Sequence, residues 1–215
     1  MAERNSVYVF KGPTIEQFRD AFYSVVEGLG GTLNWDTRPE PMGAKLLTSH
    51  NGNVHAAYIK CDGYKVAMGI GSKLEMPWIN VRIQEGALWD YSLYMADSHL
   101  DNFSTMPEYW EEDNDEWLAT QRGNPNLLSE CWQLDIASIE NYLKPWGYEV
   151  DEDEGVINTL LQGRAYPSDR FEYGDIWQMT DFLRALGAHD PNFDQPNCVP
   201  RGLELDAQDR NRTNA

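Results

Sequence analysis

Residues 108–117 read EYWEEDNDEW, with six carboxylates and three aromatic rings in ten positions. Carboxylates at that density can ligate a hard cation, or they can meet the lysines and arginines of another protein. A calcium loop of the EF-hand kind needs a glycine at its sixth position to make its sharp turn. Counted from Asp113 that position holds Leu118, and counted from Glu149 it holds Glu154. The pattern therefore favours docking over ligation. In that reading Glu108, Glu111, Glu112, Asp113, Asp115 and Glu116 steer a basic surface into place, and Tyr109, Trp110 and Trp117 anchor it. The plainer outcome is that the indoles pack inward and the acids only face water.

Other reactive side chains form no constellation. His50 and His55 flank the Asn51-Gly52 dipeptide and would lie near each other on neighbouring strands. Zinc needs two further ligands, and Cys61 and Asp62 sit at the far end of the strand. Neither a metal nor a cofactor is expected. Gly69-Ile70-Gly71-Ser72-Lys73 has a superficial likeness to a phosphate loop, but it ends an expected strand and leads to Pro77 with no helix to follow. Cys61 has Lys60 beside it and no recognisable histidine partner. The sequence contains no GxSxG, HExxH or Walker A motif. Acids are so abundant that no catalytic pair stands out by spacing.

The acidic cluster belongs to a larger asymmetry. The 215 residues carry a formal net charge of −18, and the pI is near 4.4. Residues 83–163 hold eighteen acids against two bases, Arg122 and Lys144, whereas residues 1–82 hold eight acids against nine bases. A surface of that sign repels nucleic acid and anionic membranes and attracts cations or basic proteins. Hydrophobic residues make up 41% of the chain and aromatics 12%, ample for a packed core. The first residues lack the basic start and apolar run of a secretory signal, and no apolar run approaches the length of a membrane span. Cys61, Cys131 and Cys198 are odd in number and form no CxxC pair, which suits free thiols and a cytoplasmic protein.

The elements that must carry these residues have clear punctuation. Residues 6–10 alternate as a strand. Thr14 with Gln17 makes a capping box, and Ile15, Phe18, Phe22, Val25, Val26 and Leu29 follow at helical spacing, so residues 14–28 should be a helix. Asn51-Gly52 and Asp62-Gly63 suit type I′ hairpin turns and predict a meander of strands at 44–50, 53–61 and 64–71. Further strands are expected around 79–83, 88–95 and 99–103, with a turn at 84–87. Short helices should follow at 126–132, 135–143 and 175–186, with Glu149–Gly155 as a solvated acidic loop. The expectation is one α+β domain over 1–189: mainly sheet to residue 105, with about six antiparallel strands and the first helix laid across them, then mainly helical and acidic. Residues 190–215 should form an extended or disordered tail.

Leu88-Trp89-Asp90-Tyr91-Ser92-Leu93-Tyr94, Phe103-Ser104-Thr105-x-Pro107-x-Tyr109-Trp110 and Tyr142-Leu143-x-Pro145-Trp146 resemble a pattern found in a scattered set of uncharacterised bacterial proteins. The likeness covers about a quarter of the chain and carries no catalytic residues. In general character, a small acidic α+β chain with an aromatic-studded acidic segment is similar to bacterial toxin-immunity proteins. The expected function is accordingly non-catalytic: an acidic module that occupies a basic surface of a partner, such as a toxin, as an immunity or inhibitor protein would. The competing expectation is an enzyme or small-ligand-binding protein with a pocket lined by Trp89, Tyr91 and Trp132 between the sheet and the helical half.

Overall fold

The computed structural model describes residues 5–29, 44–48, 53–59, 63–84, 88–110, 114–151, 156–188 and 203–204. They form an α+β structure of two compact units interleaved along the chain. One unit is built from residues 6–80, 94–98 and 187–215, the other chiefly from 81–93 and 99–186.

The first unit contains β1 (Asn5–Lys11), α1 (Ile15–Gly28), β2 (Ala44–Thr48), β3 (Val54–Ile59), α2 (Gly63–Leu74) and the start of β4 (Pro77–Gln84). Its strands lie side by side in the order β4, β1, β3, β2. β3 runs antiparallel to both β1, with Tyr8 opposite Ala57, and β2, with Leu46 opposite the same Ala57. The capping box at α1 is complete. The Gln17 amide donates to Thr14 Oγ1 at 3.3 Å, and the Thr14 amide donates to Gln17 Oε1 at 2.9 Å. Phe18, Ala21, Phe22 and Val26 form the buried face of this helix.

The third strand of the expected meander is instead the helix α2. Gly63, expected in a hairpin turn, is its first residue. The alternation of Tyr64, Val66, Met68 and Ile70 is real, but Val66, Ala67, Ile70 and Gly71 form an equally good helical stripe, and that stripe is the buried one. Glycine serves this helix by close approach: a Cβ on Gly71 would stand 2.4 Å from the Trp78 ring. Trp78 is fully buried, stacks on Tyr94 at 4.2 Å, and donates its Nε1 hydrogen to the Ala96 carbonyl at 2.7 Å.

The second unit continues β4 and adds most of β5 (Leu88–Met95) and of β6 (Ser98–Ser104), in the order β6, β5, β4. Beyond them come a 3₁₀ turn at Pro107–Tyr109, α3 (Asp115–Thr120) and α4 (Pro125–Trp132). The helix expected over 135–143 is two 3₁₀ turns, Ile136–Ser138 and Glu140–Leu143, interrupted at Ile139 with φ −130° and ψ −26°. Asp135 does cap the first turn, accepting from the Ala137 amide at 3.1 Å, but Ser138 Oγ donates to the Asp135 carbonyl and tightens the turn. The acidic stretch expected to be a loop includes strand: β7 (Tyr148–Asp151) pairs antiparallel with β8 (Val156–Thr159), and Val150 stands opposite Ile157. α5 (Gln178–Ala185) closes the unit and is shorter than the expected 175–186.

Asp181 of α5 is fully buried and organises the preceding loop. It accepts from the Arg170 and Phe171 amides at 2.8 and 2.9 Å, and pairs with the guanidinium groups of Arg170 and Arg184. In the tail, Leu203–Glu204 forms β9, antiparallel to β2. The remainder of that tail, both Asn51 and Gly52, and the turn residues 85–87 lie outside the described residues. Among the described residues, no helix is long and apolar enough to cross a membrane.

Candidate functional site

The acidic aromatic segment leads into an open cleft of about 520 Å³ that lies wholly within the second unit. Four stretches distant in sequence are joined around it by backbone hydrogen bonds. The Ser104 amide donates to the Gln121 carbonyl at 2.9 Å and the Gly123 amide to the Asn102 carbonyl at 2.8 Å, holding the chain after α3 against β6. The Trp146 amide donates to the Thr105 carbonyl at 2.7 Å, and the Leu161 amide to the Trp146 carbonyl at 2.9 Å. Gly147, at φ +62°, lets the chain turn there, and a Cβ on it would press to 3.2 Å on the Leu160 side chain.

The cleft walls are apolar: Pro107, Leu118, Pro145, Trp146, Leu160 and Leu161. Leu160 is 57% exposed, so one wall remains open to water. Three charged residues share the lining, Glu108, Asp115 and Arg122. Glu108 sits in the 3₁₀ turn and is half-buried; its Oε2 is shielded from water and has no hydrogen-bond partner among the described residues. Asp115 opens α3, which is capped by Asn114 Oδ1 accepting from the Trp117 amide at 2.9 Å. Among the described residues, Arg122 forms an ion pair with neither acid.

The expected docking residues divide accordingly. Glu108 and Asp115 line the cleft. Glu116 is exposed on α3, Trp117 is half-buried, and Trp110 is 39% exposed with Tyr109 packed edge-on against it at 5.1 Å. Glu111, Glu112 and Asp113 lie outside the described residues. Arg122 and the apolar walls were not anticipated, because only the folded backbone brings 107, 122, 146 and 160 together.

Trp89, Tyr91 and Trp132 cannot line an open pocket, since all three are fully buried. Trp89 and Tyr91 stack on Phe182 at 5.1 and 5.8 Å and fill the interior of the second unit. Burial and the neighbouring Asp101 carboxylate, which accepts the Tyr91 hydroxyl hydrogen at 2.8 Å, hold that phenol well above its usual pKa. The remaining reactive groups are equally quiet. Burial pushes the Cys131 thiol up, so it is a poor thiolate. His55 is buried with Nε2 on the Pro13 carbonyl at 2.7 Å, while His50, Cys61 and Asp62 lie outside the described residues. Gly69 to Lys73, likened to a phosphate loop, belong to α2. Among the described residues, no group of His, Cys, Asp and Glu is placed to hold a metal ion.

No family model, curated protein or solved structure matches this chain.

Proposed function

We propose that the chain is a non-catalytic protein-binding module whose acidic segment occupies a basic surface of its partner, in the manner of an immunity or inhibitor protein. The supporting observation is exposed apolar area together with acids that have no ion-pair partner among the described residues, in the cleft and on the segment that leads into it. Trp110 and Leu160 present apolar area, while Glu108, Asp115 and Glu116 have no ion-pair partner among the described residues. Apolar anchors with surrounding charge give affinity from the former and rate and selectivity from the latter. The acids of the whole segment, spaced along 108–116, add a field that draws a basic face in and weakens as salt rises.

The test is affinity capture from the source organism's lysate at low and then rising salt, with the native chain and a charge-reversed variant as parallel baits. The variant carries Glu111→Lys, Glu112→Lys, Asp113→Lys, Asp115→Lys and Glu116→Lys. The expected result is a basic protein held by the native chain, released as salt rises, and lost by the variant although circular dichroism shows it folded like the native chain. Equal capture by both baits overturns the reading.

A further inference from the structure

We infer that the cleft between the Pro107–Tyr109 turn and the end of β8 receives one arginine or lysine side chain of the partner, with its cationic head against Glu108. This rests on the protein-binding reading above and gives it a specific point of recognition. Glu108 Oε2 is the first ground. A carboxylate oxygen removed from water and left without a donor has lost hydration and gained nothing in return. Turned toward the cleft that its residue lines, this carboxylate regains a donor, and a charged donor restores the bond most strongly.

The walls define the rest of the ligand. Pro107, Leu118, Leu160 and Leu161 offer apolar surface along the approach, which matches the methylene stem below a guanidinium or ammonium. The volume, about 520 Å³, falls within the usual size of a ligand pocket. Charge sets the number. Glu108 and Asp115 against Arg122 leave the cleft a net −1, enough for one cationic head. A purely anionic occupant is disfavoured by the same residues and by the acidic stretch around them.

The experiment is a proton–nitrogen NMR titration of the full chain with the capped tripeptide acetyl-Leu-Arg-Leu-amide. The comparison peptide replaces arginine with citrulline, which keeps the shape and removes the charge. Saturable shifts of the Leu118, Gly147 and Leu161 amides are expected with the arginine peptide, and affinity about tenfold weaker with citrulline. Glu108→Gln should lose about tenfold as well. Arg122→Gln should bind about twofold to fivefold tighter, because a competing cation has gone. Glu140→Gln, exposed and outside both the cleft lining and residues 108–117, should change little.

Unshifted cleft amides, equal binding of the citrulline peptide, or native affinity in Glu108→Gln overturns the inference. The two readings fail separately. If the charge-reversed bait loses its partner while the peptide ignores the cleft, docking stands and the cleft assignment falls. If the peptide binds as expected while capture is insensitive to salt and charge, the guanidinium site stands and the partner's use of it falls.

Discussion

His55 shows how a buried ring can make one residue's titration a property of the fold. Its Nε2 donates to the Pro13 carbonyl at 2.7 Å, its ring packs on Phe18 at 5.6 Å, and its Nδ1 is buried with no partner among the described residues. A proton added at Nδ1 would therefore meet neither water nor an acceptor. Burial lowers the pKa of the ring, against the opposing influence of the Pro13 carbonyl and the Glu16 charge. In the unfolded chain histidine takes up its proton near pH 6.5, and the folded protein does so only at lower pH. Below that value the unfolded state holds more protons, so stability present at neutral pH falls as pH falls. The melting temperature should drop between pH 7.5 and pH 5.5, and the drop should shrink in His55→Gln, whose amide can keep the Pro13 bond. A native protein equally stable at both values would contradict this account. Residue chemistry also limits what ring type can reveal. Trp89, Tyr91 and Trp132 have the composition of a binding surface, but composition does not give depth: residues on both faces of β5 are buried, and so is Trp132 at the end of α4.

Elements were legible where two local signals agreed. At α1 the capping box and the apolar stripe point to the same helix, and Thr14 and Gln17 make both reciprocal bonds. At α2 the signals conflicted. Gly63, Gly69 and Gly71 read as turn or strand punctuation, and Tyr64 to Ile70 alternates, yet the segment is a helix that buries the stripe Val66, Ala67, Ile70 and Gly71, and two of those glycines admit neighbours that a side chain would exclude. Added Cβ atoms would lie 2.6 Å from Val25 at Gly69 and 2.4 Å from Trp78 at Gly71. This reverses the usual effect of a substitution. Alanine for glycine in a helix interior ordinarily stabilises by about 1 kcal/mol. Gly71→Ala should instead destabilise by about 2 kcal/mol, because Trp78 is buried and tied to Ala96 and cannot retreat. A lower urea midpoint at unchanged slope is the expected reading, and a raised midpoint would place Trp78 elsewhere. The cleft was half legible for a related reason: Glu108 and Asp115 stand out by local charge density, while Arg122, Trp146 and Leu160 join them only through backbone bonds between distant stretches.

At the scale of the molecule, charge and chain path govern behaviour. Eighteen acids against two bases in residues 83–163 repel one another at low ionic strength. Screening should relieve that repulsion, so the melting temperature should rise as sodium chloride increases from about 10 mM to about 500 mM. A flat or falling curve would mean that the acids are neutralised within the fold. The two units are also woven from non-contiguous pieces. Trp78 belongs to the first, and the Tyr94 ring that stacks on it at 4.2 Å belongs to the same unit, though residues 81–93 between them are given to the other. β2 likewise finds its β9 partner only at Leu203 and Glu204. A ribosome delivers residues in order, at about five to twenty per second. The nascent N-terminal portion must therefore wait, with Trp78 lacking its stacking partner, until the chain has passed Tyr94, and the edge of β2 stays unpaired by β9 until Leu203 and Glu204 have been made. For this protein, birth order and folding order diverge, and no single cut separates one complete unit from the other.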